Sequence, residues 1–150
     1  MTIAARAEVE LAGVDPIEFA TRYAEAWSSH EPERVAAFFS EDGSLAVNGA
    51  APAVGRQAIS EVARGFMTAF PDMVVTMDRL VNAGDAIEFH WTLTGTNTGP
   101  GGTGQRVRIS GYESWTLDSA HGIAISNGRF DEAEYARQLA HGVDEESEVP

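Results

Sequence analysis

The chain has 150 residues, 43% of them hydrophobic, which suits one domain with a real core. Its 23 acidic against 10 basic residues give a formal net charge of −13, which argues against nucleic acid or an acidic membrane surface as a partner. There is no cysteine, so disulfides, thiolate catalysis and cysteine-ligated zinc are excluded.

Residues 1–14 read as an N-terminal extension with early acids and no long apolar core, unlike a signal peptide. No stretch approaches the ~20 apolar residues that span a bilayer, so the expectation is a soluble cytoplasmic protein. The first helix opens at Asp15-Pro16-Ile17-Glu18, an acidic N-cap with proline at N1 and glutamate at N3. Phe19, Tyr23, Ala26 and Trp27 then recur at helical spacing. A short second helix follows Pro32, with Val35, Phe38 and Phe39 on its buried side and Asp42-Gly43 as its end. Ser44 to Val47 reads as a short strand, and Asn48-Gly49 as a turn. A third helix is expected from about Arg56 to Phe70, with Ile59, Val62, Phe66 and Phe70 as its apolar stripe and Pro71 as its stop.

From Met73 the chain turns β-rich. The expected strands are Met73–Val81, Ala86–Thr96, Gln105–Leu117 and Ile123–Phe130. Asp131 opens a last helix through a capping-box pattern. The domain is expected over 15–141, with 142–150 an acidic, disordered tail. Helices followed by a run of antiparallel strands indicate an α+β architecture, with helices on one face of a curved sheet.

Within Gln105–Leu117, Glu113 falls on the same face as Val107, Ile109, Trp115 and Leu117. A carboxylate there is costly unless paired or protonated. Glu113 is therefore either a functional acid or a structural glutamate with a buried partner. His90 alternates with Ile87, Phe89, Trp91 and Leu93. Parity puts it outside, but a dimer surface over the apolar set would leave His90 in a pocket. Tyr23, on the buried stripe of the first helix, needs a partner for its hydroxyl. Trp27, Phe66, Phe70 and Trp115 are either core or the walls of an apolar cavity.

The glycine-rich loop 95–104 is followed by a strand rather than a helix, so a phosphate cradle is set aside in favour of a mobile hairpin over a pocket mouth. His30, His90, His121 and His141 show no metal-ligand spacing, so no metal is expected. His30, His121 and His141 are expected to be solvated.

Ala69-Phe70-Pro71-Asp72, the strand into Gly95-Thr96-Asn97-Thr98-Gly99, Thr103-Gly104, and Phe130-Asp131 with Arg137-Gln138-Leu139 occur in an order that resembles the SnoaL-like polyketide cyclase family. That family belongs to the nuclear transport factor 2-like superfamily, with ketosteroid isomerases and limonene epoxide hydrolase. The resemblance spans about Asp15 to Leu139. It implies a cone-shaped fold: a curved mixed or antiparallel sheet around three N-terminal helices, a short C-terminal helix, an apolar pocket and a homodimer.

By the same resemblance, Tyr23 matches an oxyanion-donating tyrosine of the isomerases. Glu113 falls where isomerases keep a protonated aspartic acid and SnoaL-like cyclases a histidine. His90 falls near a pocket arginine of epoxide hydrolases. The isomerase base would fall near Val47, beside Asn48, and the aspartate of cyclases and epoxide hydrolases at Gly128. Neither Val47 nor Gly128 can take a proton.

The expected site thus has Glu113, His90 and Tyr23 as catalytic residues and Trp27, Phe66, Phe70, Trp115 and Asn48 as ligand-binding ones. The expected function is cofactor-free cyclisation, isomerisation or epoxide opening of an apolar, oxygen-bearing molecule such as a polyketide or terpenoid. The alternative is a non-catalytic binding or dimerisation module of the same fold.

Overall fold

A computed structural model describes residues 15–118 and 122–143. The extension 1–14, the end of the tail and His121 lie outside them. Helix α1 (Pro16–Ser28) starts where Asp15 accepts from the Ile17 N–H. Its inner stripe of Ala20, Tyr23, Ala24, Ala26 and Trp27 is buried. Helix α2 (Pro32–Ala36) is a single turn, and α3 spans Arg56–Ala69. Helix α4 (Glu132–His141) is capped by Asp131, which accepts from the Glu134 N–H.

Six strands form one sheet: β1 (Phe39–Val47), β2 (Ala53–Val54), β3 (Val74–Ala83), β4 (Ala86–Thr96), β5 (Arg106–Leu117) and β6 (Ile123–Phe130). Their order is β2-β1-β6-β5-β4-β3. The β1–β6 pairing is parallel and the others antiparallel, so the sheet is mixed. Among the described residues no helix is long and apolar enough to cross a membrane.

Two local expectations fail for visible reasons. Phe39 begins β1 instead of closing α2, and the strand runs through Asp42-Gly43 with a register shift between Phe39 and Ser44. Gly43 allows this: a Cβ there would lie 2.7 Å from the Ile123 carbonyl oxygen. In α3 the fully buried positions are Ile59, Ser60, Ala63 and Met67, while Val62 and Phe66 are only partly buried. Those two face a cavity rather than packed core.

The glycine-rich loop is tied down rather than draped over a pocket. The Asn97 side chain donates to the Ala69 carbonyl and accepts from the Thr103 N–H, and Gly99 N–H also donates to Ala69. Asp72 accepts from both the N–H and hydroxyl of Thr96, which holds its carboxyl below the usual range. The loop is a clamp on the C-terminal end of α3. Ser28 fastens α1 to the edge strand β3: its hydroxyl donates to the Val75 carbonyl and accepts from the Val75 N–H.

The core lies between the helices and the inner sheet face. Tyr23 is its hub, with ring centroids of Phe38, Phe89 and Trp115 at 5.4, 5.3 and 5.3 Å. Ile87, Phe89 and Leu93 are buried on this face, so the apolar set of β4 does not form an outer dimer surface.

Candidate functional site

An apolar cavity opens between the helices and the inner sheet face. It is open at one side and has a volume of about 60 Å³, which holds on the order of four or five waters. Trp27 and Phe66 form the helical side, and Phe89, Trp91, Phe130 and Tyr135 much of the rest. Trp91 owes its place to Gly111 on the neighbouring strand: a Cβ there would sit 2.7 Å from Trp91 Cζ2 and 2.3 Å from the Arg129 carbonyl oxygen.

Glu113 is the acid of this cavity. Strand alternation turns it inward with Ile109 and Trp115, and it is 7% exposed. Its Oε1 accepts three hydrogen bonds: from the Tyr23 hydroxyl at 3.0 Å, Trp115 Nε1 at 3.0 Å and the Ser126 hydroxyl at 2.8 Å. Each donor comes from a different neighbourhood: α1, the same strand two residues on, and the adjacent strand β6. Oε2 makes no hydrogen bond within the described residues.

Burial pushes the Glu113 carboxyl above the usual carboxylate range, and the three donors only partly offset this by favouring the anion. Burial, reinforced by the neighbouring Glu113 charge, holds the Tyr23 hydroxyl well above its ordinary value, so it keeps its proton. Since the lone pairs of Oε1 are occupied, a proton on Glu113 belongs on Oε2. The arrangement is a carboxylic acid anchored through Oε1 in the wall of the cavity.

The expected residues divide around this centre. Trp27, Phe66 and Glu113 line the cavity. Tyr23 does not; its hydroxyl is engaged by Glu113, so it positions the acid instead of meeting a ligand oxygen. Trp115 lies behind Glu113, stacked on Phe89 at 5.1 Å, and acts as another anchor. Phe70 is fully buried at the end of α3 and packs against Tyr135 from behind. Asn48 sits in a left-handed turn, φ 51°, where its side chain accepts from the Phe130 N–H, away from the cavity.

His90 must be withdrawn as an acid–base partner. It lies on the opposite sheet face, its Nε2 3.1 Å from Glu88 Oε1 and its ring stacked on Tyr112 at 5.3 Å. Strict alternation puts it there, because Phe89 and Trp91 on either side face inward. His30 is also not simply solvated: its Nε2 lies 3.2 Å from the Met73 carbonyl oxygen, a bond the Nε2–H tautomer makes.

Ser126, Trp91, Phe130 and Tyr135 were not singled out from the sequence. Ser126, Gly128 and Phe130 share the inner parity of β6, so alternation held that signal. Tyr135 is reached only by packing α4 against β5, which no local pattern specifies. Val47 and Gly128 both line the cavity, so the two positions where relatives would place a base are wall without a titratable group.

Solved structures share this fold at low identity. A ketosteroid isomerase-like protein from Catenulispora acidiphila, solved with trimethylamine, superposes with TM-score 0.71 at 19% identity, covering 81% of this chain and 92% of its own. A SnoaL-like protein assigned to the polyketide cyclases, from Jannaschia sp. CCS1, gives 0.72 at 16% identity, covering 85% and 92%. The epoxide hydrolase/cyclase-like enzyme SalBIII of salinomycin pyran-ring formation gives 0.67 at 17% identity, covering 79% and 92%. No curated protein matches the chain. The cone-shaped α+β architecture is thus that of the nuclear transport factor 2-like proteins. Residues 20–124 match the SnoaL-like domain, and the chain belongs to that family.

Proposed function

We propose that the protein is a cofactor-free enzyme acting on a small, apolar, oxygen-bearing molecule, with Glu113 as its acid. The observation that carries this is a buried carboxyl in the wall of an apolar cavity, with three donors on Oε1 and, among the described residues, none on Oε2. A carboxyl raised toward neutrality and held in one orientation is suited to general acid catalysis.

The absence of a base from Val47 and Gly128 selects among the family's reactions. Hydrolysis of an epoxide needs a group to activate water. Cyclisation of an epoxy-alcohol carries its nucleophile within the substrate, so no residue has to hold and orient a water. The Glu113 carboxyl protonates the epoxide oxygen as its C–O bond breaks, the substrate's own hydroxyl attacks that carbon from the opposite side, and the proton it releases leaves to solvent through the open mouth, from which the carboxylate is reprotonated. The carboxyl ends as it began. SalBIII, a relative in fold, acts in pyran-ring formation, which favours this choice. The enclosed space suits the reacting end of a substrate, with the remainder in the open mouth. The expected homodimer rests on the family resemblance.

The second reading is non-catalytic binding of a small ligand, favoured by the same two baseless positions. Trimethylamine in a relative of this fold supports a compact guest. One experiment separates the two. Wild type, Glu113→Gln and His90→Ala are incubated with small epoxy-alcohols, and cyclic ether is followed by gas chromatography. Cyclisation should fall ~10²–10⁴-fold in Glu113→Gln and stay near wild type in His90→Ala. Equal rates in wild type and Glu113→Gln would remove the acid role; no turnover with tight binding would leave the binding module.

A further inference from the structure

We propose that Trp27 is a positioning residue that relays filling of the cavity to Glu113. A guest against the Trp27 ring seats its indole N–H on the Tyr23 hydroxyl oxygen, and Tyr23 then donates more strongly to Glu113 Oε1. The relay rests on reading the cavity as the substrate site and adds how that site answers to occupancy.

The first support is an orphan donor. Trp27 is 7% exposed, and its Nε1 is buried with no hydrogen-bond partner among the described residues. A buried N–H without an acceptor is costly, so a small ring shift that supplies one is favoured.

The second is a vacant acceptor beside it. A tyrosine hydroxyl has one proton and two lone pairs. The Tyr23 proton goes to Glu113 Oε1 at 3.0 Å, and among the described residues no donor meets its oxygen in hydrogen-bonding geometry. Trp27 follows Tyr23 by four residues on α1, which sets both on one helix face. Their rings meet edge to face with centroids 6.4 Å apart. Burial raises the Tyr23 hydroxyl, and Trp27 draws it back, as a nearby donor does. The pair stands close to a hydrogen bond without having completed it.

The third is the double position of Trp27. Its ring lines the cavity, where it meets Phe66 at 6.0 Å, whereas Tyr23 is fully buried outside the lining. Phe89 also touches both the cavity and Tyr23, but it carries no donor. A guest that meets only ring faces thus acts on Glu113 by way of Trp27. Hydrogen bonds in a chain strengthen one another, so a donor on the Tyr23 oxygen makes its O–H a better donor and favours the Glu113 anion. Around Glu113, α1 brings Tyr23, β4 brings Phe89, and β6 brings Ser126 and Gly128, so Tyr23 is the titratable neighbour. Tyr135, elsewhere in the cavity wall, keeps its proton through burial.

The test uses xenon as the guest, because it enters small apolar cavities. Wild type, Trp27→Phe and Tyr23→Phe are compared with and without xenon, each referenced to its Glu113→Gln counterpart. In wild type the Trp27 indole proton, assigned by its loss in Trp27→Phe, should move downfield in the NMR spectrum. By difference infrared spectroscopy, the protonated-carboxyl band of Glu113 should vanish at a pH lower by roughly 0.2–0.6 unit. Xenon that merely displaced water would raise that pH, so the direction separates relay from filling. Both variants should lose the fall. Tyr23→Phe keeps the Trp27 ring and decides the matter even where Trp27→Phe does not fold. A midpoint unmoved or raised by xenon in wild type, or the same fall in either variant, overturns the relay, as does xenon that leaves the Trp27 indole proton in place. Protonation is read here and not turnover, so the acid role of Glu113 stands or falls in its own assay.

Discussion

Glu113 and Gly128 face each other across the β5–β6 ladder, and a Cβ on Gly128 would stand 3.7 Å from Glu113 Cγ. Its other nearest atoms would be the Ala46 and Tyr112 carbonyl oxygens at 3.5 and 4.0 Å. These are ordinary contacts. The position is empty by residue choice, not by steric necessity, and the emptiness is part of the cavity.

Gly128→Ala should therefore fold normally. Replacing glycine at an unstrained site stabilises by ~0.4–1 kcal/mol through the unfolded chain, so the denaturation midpoint should hold or rise slightly. The added methyl should fill the space beside the acid and cost a bound guest about 1–3 kcal/mol, roughly five- to hundred-fold in affinity. Xenon, which enters small apolar cavities, reports this by NMR without any knowledge of the natural ligand. An unchanged xenon response would mean that the space beside Glu113 is not the accessible one.

The raised Glu113 carboxyl also makes a prediction about pH. Its folded pKa lies above the ordinary 4.5. The folded state thus holds a proton that the unfolded chain releases. Its contribution to stability is full below pH 4.5 and is lost as pH rises toward the folded value. Each tenfold gain in proton affinity on folding makes that loss larger by about 1.4 kcal/mol. Glu113→Gln cannot ionise and still offers an oxygen to the three donors. Urea denaturation from pH 4 to 8 should show the variant gaining on wild type as pH rises, with little loss of stability at neutrality. Parallel curves would show that the donors cancel the cost of burial.

Much of this was legible from alternation alone. Glu113 on the inner face, the four long strands and the Asp15 and Asp131 caps follow from local pattern. The site was only half legible. Parity could turn Glu113 inward, but it could not tell that Tyr23, Trp115 and Ser126 converge on one oxygen, because that needs α1 placed over β5 and β6. For His90 the opposite holds, because alternation alone places it correctly on the outer face. Its residue type suggested chemistry, whereas its neighbours Phe89 and Trp91 decided its face. Trp115 and Phe70 read equally as wall or core because a large apolar residue leaves the same trace in either role.

Tyr23→Phe tests whether the network tunes Glu113 or merely fills space. The substitution keeps the ring among Phe38, Phe89 and Trp115 and deletes one donor to Oε1. Trp115 and Ser126 remain, so no buried acceptor is left alone, and the cost should be about 1 kcal/mol. The Tyr23 bond favours the anion, so losing it should raise the Glu113 pKa further. Difference infrared spectra of wild type and Tyr23→Phe, each referenced to its Glu113→Gln counterpart, isolate the protonated-carboxyl band of Glu113. In Tyr23→Phe that band should persist to higher pH than in wild type. Ser126→Ala should act in the same direction, and the double variant should shift the band beyond either single change. A band that disappears at lower pH in Tyr23→Phe would show that the hydroxyl stabilises the neutral acid, and the roles assigned to the two oxygens would have to be exchanged.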